Sequence, residues 1–206
     1  MARMFTGLVQ AVGRVASVEA RGAGVRLRVD PMGWGYAPGL GESISVSGCC
    51  LTVAGLEGGP GGKTWAFDAV PETLAKTTLG GLAAGSRVNL EHAATPTTLL
   101  GGHVVQGHVD GVGVVETVLT EGEWRVRVRP PAGLMEYMTP KGSVCVEGVS
   151  LTLARVEPRE WFEVALIPVT LEKTTLGELR AGSRVNVEAD VFAKTVVNWL
   201  RVYGKG

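Results

Sequence analysis

Ser45-Val46-Ser47-Gly48-Cys49-Cys50-Leu51-Thr52-Val53 returns one hundred positions later as Cys145-Val146-Glu147-Gly148-Val149-Ser150-Leu151-Thr152-Leu153. Each copy sets Gly-x-[Cys or Ser]-Leu-Thr between apolar runs, so the chain is an internal duplication. The copies differ at the small nucleophilic position, Cys50 in one and Ser150 in the other. That exchange of thiol for hydroxyl is the first sign of chemistry.

The duplication extends in both directions. Met4 to Gly13 answers Val104 to Gly113, and each reads as a β-strand with a glycine where backbone approaches a neighbour or a flat ligand. Val25 to Asp30 and Trp124 to Arg129 alternate apolar with charged residues, the pattern of a half-buried antiparallel strand with its arginines in water. After the motif, Glu57 to Lys63 has a shorter counterpart around Glu157 to Glu160, a surface hairpin that moves the offset from 100 to 97. Pro71 to Gly80 then answers Pro168 to Gly177, each a short helix with Thr near its N-cap and Gly past its end. Ala84 to Asn89 and Ala181 to Asn186 turn into a last strand.

About six strands and one small helix per half predict an all-β chain of two tandem Greek-key barrels. The expected divisions are 1–97, 98–190 and a terminal helix in 191–206, with His92 to Thr98 as linker. From Val191 to Tyr203 the helix carries Phe192, Val196, Trp199, Leu200 and Tyr203 on one apolar stripe. Such a stripe covers its own barrel or meets other copies of the chain.

Composition narrows the function. The 206 residues hold 20 Lys plus Arg against 20 Asp plus Glu, so no basic field draws in nucleic acid or an anionic membrane. A small neutral or weakly charged ligand fits better. No apolar run approaches a membrane span and the first residues have no secretory pattern, so a soluble cytoplasmic protein is expected. The three cysteines lack the paired spacing of a zinc site, and no metal is expected; Cys49 and Cys145 read as buried apolar side chains. The glycine-rich stretches match neither a phosphate loop nor a dinucleotide fingerprint.

His92 reads as solvated or structural. His103 and His108 lie at odd spacing, on opposite faces of any strand, so only one faces a given pocket. The repeat sets His108 against Leu8, a polar residue replacing an apolar one, which makes His108 a functional candidate. Cys50, Ser150, Lys141, Glu188 and Asp190 are the other groups able to supply nucleophile, proton carrier and charge. Each has a plainer reading: a buried thiol, a strand hydroxyl, a surface lysine, acids on an exposed edge.

Met-Phe-Thr-Gly-Leu-Val at 4 to 9, Gly-Cys-Cys-Leu-Thr-Val at 48 to 53, Pro-Glu-Thr-Leu at 71 to 74, Gly-Gly-His to Asp-Gly at 101 to 111, Gly-Val-Ser-Leu-Thr at 148 to 152 and Thr-Leu-Glu-Lys-Thr-Thr-Leu-Gly at 170 to 177 together resemble riboflavin synthase alpha chains. The resemblance covers essentially the whole chain. It implies two six-stranded barrels, each binding one 6,7-dimethyl-8-ribityllumazine, and a terminal helix that helps build a homotrimer. It also implies dismutation of two lumazines by four-carbon transfer, giving riboflavin and 5-amino-6-ribitylamino-2,4-pyrimidinedione, with no metal or organic cofactor. Association with lumazine synthase stays open, as does a non-catalytic antenna-type protein of the same ancestry.

Family ligand contacts fall on Gly7, Leu8, Val9, Cys50, Leu51, Thr52, Asp68, Ala69, Val70, Pro71, Glu72 and Thr73, which the resemblance assigns to the first barrel. For the second they fall on Gly107, His108, Val109, Lys141, Ser150, Leu151, Thr152, Ala165, Leu166, Ile167, Pro168, Val169 and Thr170. In this scheme Cys50 and Ser150 serve for transient addition or for relaying water, His108 for proton transfer, and Lys141 with Glu188 or Asp190 for charge. Ser47 stands where the family often has Asn, Val169 stands where Glu would match Glu72, and Met1-Ala2-Arg3 precedes the family's usual start. The resemblance also implies a site shared between subunits, with Cys50 approaching Ser150 of another chain.

Overall fold

The computed structural model describes residues 4–59 and 62–204, so Met1-Ala2-Arg3 and the tip of the Gly58 to Lys63 hairpin lie outside the described residues. Strands β1 (Ala11–Arg21), β2 (Gly24–Asp30), β3 (Ser43–Val46), β4 (Cys49–Gly59), β5 (Gly62–Ala69) and β6 (Arg87–His92) close into a barrel in the order β1-β2-β5-β4-β3-β6. Strands β7 (Gly111–Leu119), β8 (Trp124–Arg129), β9 (Ser143–Val146), β10 (Val149–Glu157), β11 (Trp161–Leu166) and β12 (Arg184–Ala189) close a second barrel in the matching cyclic order. The duplication is thus one of topology as well as of sequence. Closure removes the exposed sheet edges that two short-stranded open sheets would present.

Period-two alternation sets what lies inside. Val15, Leu27, Val29, Val53, Trp65 and Phe67 fill the first core, and Val115, Val126, Val128, Leu153, Phe162 and Val164 fill the second. Each such side chain contributes roughly 1.5–3 kcal/mol by leaving water. The outward arginines are less solvated than expected. Arg26 lies 2.8 Å from Asp68 and Arg28 lies 2.6 Å from Glu57, while Arg125 and Arg127 flank the buried Glu163 at 3.3 and 3.6 Å.

Two local expectations are corrected. The first strand of each barrel begins at Ala11 and Gly111, about seven residues later than Met4 and Val104, because the segments before them cross to the other barrel. The short helices α1 (Pro71–Lys76) and α2 (Pro168–Lys173) have no side-chain cap at their starts, where Val70 and Ile167 stand. Proline at the first turn, which lacks the orphaned N–H, does that work. The threonines act later, for Thr77 and Thr174 cap the 3-10 turns that follow at Thr78–Gly81 and Thr175–Glu178.

The barrels meet back to back at the central motif. A Cβ on Gly48 would lie 2.7 Å from the Gly148 nitrogen, and one on Gly148 would lie 2.8 Å from the Gly48 nitrogen, so neither position admits a side chain. Phe5 bridges Val105 in antiparallel fashion, and both pack with Cys145. Helix α3 (Val191–Tyr203) follows, begun by Asp190, whose carboxylate accepts the Phe192 N–H at 2.8 Å. Lys194 reaches Asp110 at 2.9 Å and fixes its first turns to the second barrel. Phe192, Val196, Trp199, Leu200 and Tyr203 remain more than half exposed.

Candidate functional site

Each barrel's opening is built partly by the other half's leading segment. The backbone N–H of Ser150 donates to the Gly7 carbonyl at 2.8 Å, and that of Cys50 donates to the Gly107 carbonyl at 2.9 Å. Both glycines have left-handed φ, +73° and +74°, and a Cβ on either would come within 2.6 Å of the Cβ of Ser150 or Cys50. Val9 packs on the second core and Val109 on the first. This corrects the grouping implied by the resemblance. Gly7, Leu8 and Val9 belong with Ser150, and Gly107, His108 and Val109 belong with Cys50.

Two buried glutamates hold the exchanged segments. Glu91 accepts the Thr6 N–H at 2.6 Å, the Thr6 hydroxyl at 2.7 Å and the Gly7 N–H at 3.0 Å. Its repeat partner Glu188 accepts the Gln106 N–H at 2.7 Å through Oε1. Burial pushes both carboxyls above their usual range, and the bonds from these backbone donors oppose it. Glu188 is therefore a buried pin beneath the Cys50 opening, where sequence suggested an exposed edge acid as its plain reading.

The Ser150 side chain has a partner that sequence reasoning passed over. Nδ1 of His103 lies 2.7 Å from Ser150 Oγ, and the His103 N–H donates to the Thr6 carbonyl at 3.2 Å. Burial lowers the pKa of His103, with Asp190 acting against it, which favours neutral imidazole at neutral pH. Gly102 makes this fit possible, since a Cβ there would lie 2.1 Å from the Thr6 carbonyl oxygen. His108 is exposed beside Gly107 at the Cys50 opening. The two histidines do not share a strand, since residues 103–108 are irregular apart from the bridge at Val105, and His103 is the one bound to a candidate nucleophile. The signal in the sequence was the pair of glycines before it.

Cys49 and Cys145 are buried, and burial pushes the Cys49 thiol up to about 12 and the Cys145 thiol well above its ordinary value. Cys50 is half-buried and is the accessible thiol. Lys141 is exposed at φ +67°, with its N–H donating to the Leu153 carbonyl at 2.8 Å.

The remaining expected contacts differ in burial. Leu51, Ala69, Leu151 and Leu166 are buried, whereas Thr52, Val70, Pro71, Thr152, Ala165, Ile167, Pro168 and Val169 are exposed. Leu8 and Ile167 are 48% and 61% exposed. Asp68, Val70 and Pro71 line a groove of about 260 Å³ with Gly24 and Val25. Glu72 pairs with Lys76 at 2.9 Å, while Thr73 and Thr170 lend their carbonyls to Thr77 and Thr174. A larger cavity of about 710 Å³, lined by Arg129, Pro131, Met135 and Arg159, touches none of these residues.

Two like closed barrels, each with a small nucleophilic side chain against a glycine of the other half's leading segment, define a duplicated-barrel protein. The family model for the lumazine binding domain matches residues 6–93 and 106–190. The chain is 46% identical over 205 residues to riboflavin synthase of Mycobacterium tuberculosis (strain ATCC 25618 / H37Rv), covering 98% of this chain and 100% of that one. It is 38% identical over 200 residues to riboflavin synthase of Escherichia coli (strain K12), covering 95% and 91%. Among solved structures, LumP complexed with 6,7-dimethyl-8-(1'-D-ribityl) lumazine matches with a TM-score of 0.75 and 25% identity, over 90% of this chain and 99% of that one. The chain belongs to the riboflavin synthase family, transferases built from two lumazine-binding domains.

Proposed function

We propose that each barrel opening is one lumazine site and that catalysis joins two of them. The activity is that of riboflavin synthase: two molecules of 6,7-dimethyl-8-ribityllumazine exchange a four-carbon unit to give riboflavin and 5-amino-6-ribitylamino-2,4-pyrimidinedione. One lumazine gives up the four carbons and the other takes them, so the exchange balances between the substrates. The antenna-type alternative is not favoured, because riboflavin synthases match at 38–46% identity where LumP matches at 25%, and both Gly-x-[Cys or Ser]-Leu-Thr motifs are intact.

The observation that supports the site assignment is the reciprocal exchange of leading segments, with Gly7 against Ser150 and Gly107 against Cys50, and on it we group the expected contacts into two sets. The first comprises Cys50 to Thr52, Asp68 to Thr73 and Gly107 to Val109. The second comprises Gly7 to Val9, Lys141, Ser150 to Thr152 and Ala165 to Thr170. The 7-methyl group of a lumazine is acidic because its carbanion delocalises into the ring system. Neutral His103, hydrogen-bonded to Ser150, is suited to take that proton through the hydroxyl. Cys50 serves the first site as the group for transient addition, with His108 exposed beside it to carry a proton.

The assembly is a homotrimer in the cytoplasm. The unpartnered stripe of α3 supports this, since large apolar side chains half exposed on a terminal helix favour contact with other copies. Cys50 lies against Gly107 and Ser150 against Gly7 and His103, so each nucleophile serves its own opening. The two lumazines then come from the first barrel of one subunit and the second barrel of its neighbour. Co-expression of Cys50→Ala and Ser150→Ala chains tests this. If each change alone abolishes turnover, mixed trimers recover partial activity through pockets carrying neither lesion; no recovery in verified mixed trimers refutes the shared site.

A further inference from the structure

Where the barrels meet, the duplication is symmetric in its frame and unequal at one buried position. Each barrel reaches across with a buried asparagine. Asn186 Oδ1 accepts the Thr78 N–H at 2.7 Å and its Nδ2 donates to the Ser47 carbonyl at 2.8 Å. Asn89 Oδ1 accepts the Thr175 N–H at 2.8 Å and its Nδ2 donates to the Glu147 carbonyl at 2.8 Å. To this symmetric frame the second copy adds a carboxyl group. Glu147, the repeat partner of Ser47, is buried at φ +50° and accepts the Asn186 N–H at 2.6 Å and the Thr78 hydroxyl at 3.4 Å on one oxygen. In the mirrored place Ser47 offers Asn89 N–H a hydroxyl oxygen at 3.3 Å.

The consequence runs along α1. Thr78 opens the 3-10 turn, Thr77 before it donates its hydroxyl to the Thr73 carbonyl at 2.6 Å, and Thr73 ends the contact segment proposed for the first lumazine. A path of two hydrogen bonds joined by the Thr77–Thr78 peptide link therefore leads from Glu147 of the second barrel to Thr73 of the first. The counterpart from Thr175 through Thr174 to Thr170 has the asparagine and the threonines, with Ser47 in place of the carboxyl group. Dismutation gives two identical molecules different parts, donor and acceptor, so the sites must differ.

We propose that Glu147 is a positioning residue that acts through Thr78 on the α1 wall of the first lumazine site and makes the chain's two sites unequal in affinity. The inference rests on the lumazine sites proposed above. The test uses riboflavin as probe, with its fluorescence quenching titrated on the full-length protein and on Thr78→Val, Thr78→Ser and Thr175→Val variants. Wild-type protein should show two classes of site. Thr78→Val should weaken one class by about fivefold, the worth of one hydrogen bond, while Thr175→Val changes neither class by more than about twofold.

Thr78→Ser, which keeps the hydroxyl, should restore wild-type binding, an outcome that a purely steric role for the methyl group would not give. A single class in the wild type, or equal effects of Thr78→Val and Thr175→Val, overturns the inference and leaves the lumazine sites standing. Absence of riboflavin binding to the wild type overturns both.

Discussion

His103 Nδ1 lies 2.7 Å from Ser150 Oγ, with the histidine buried and the serine half-buried at the second barrel's opening. A neutral imidazole held there is a base whose proton path to a ligand passes through one hydroxyl.

Replacing His103 by Ala should lower kcat by about a hundredfold or more, the usual share of a positioned general base, with the fold retained. Because burial holds the imidazole below its ordinary 6.5, the base form persists as pH falls, and the acidic limb of the kcat profile should lie below pH 6.5. A pH–rate profile on wild type and variant checks both. A limb above 6.5, or full activity in the variant, removes His103 from the relay.

Gly7→Ala and Gly107→Ala should each destabilise the fold by about 1–3 kcal/mol, from left-handed backbone strain alone. The added Cβ would also meet the Ser150 or Cys50 Cβ at 2.6 Å. Gly22→Ala is the control, with φ +59° but open space around it, so it carries the strain without the clash. Denaturant unfolding should rank Gly22→Ala as the mildest of the three.

Glu147 gives a pH signature. Burial pushes its carboxyl from 4.5 to about 7, so the folded state holds this proton more tightly than the unfolded chain does. Its contribution to stability is therefore present at low pH and is lost as pH rises from about 4.5 to about 7, by roughly 3 kcal/mol in all. Glu147→Gln does not titrate, so its stability relative to wild type should improve from pH 5 to pH 8. Parallel pH dependences in chemical unfolding would contradict this.

Truncation after Asp190 removes α3 with its exposed Phe192, Val196, Trp199 and Leu200 and should leave monomers. Sedimentation of the truncated chain decides it, and a persisting trimer would place the interface elsewhere.

The barrels were legible in the sequence because alternation and a self-repeat are local signals that every strand carries. The α3 boundaries were legible from another local signal, the apolar stripe at helical spacing from Phe192 to Tyr203. The exchange of leading segments was not, since Gly7 and Gly107 show only that something approaches closely, and their repeat relation invites pairing each with its own half. His103 was passed over because its partner Ser150 lies 47 residues away and only the closed barrel brings them together. Glu188 looked like an edge acid for a similar reason: Gln106, whose N–H it accepts, lies 82 residues away in the chain.

The most direct measurement is incubation of the purified protein with 6,7-dimethyl-8-ribityllumazine as sole substrate, following riboflavin and the pyrimidinedione together. The account predicts that both products appear in equal amounts, with two lumazines consumed for each riboflavin formed. Lumazine bound but unconverted would contradict it.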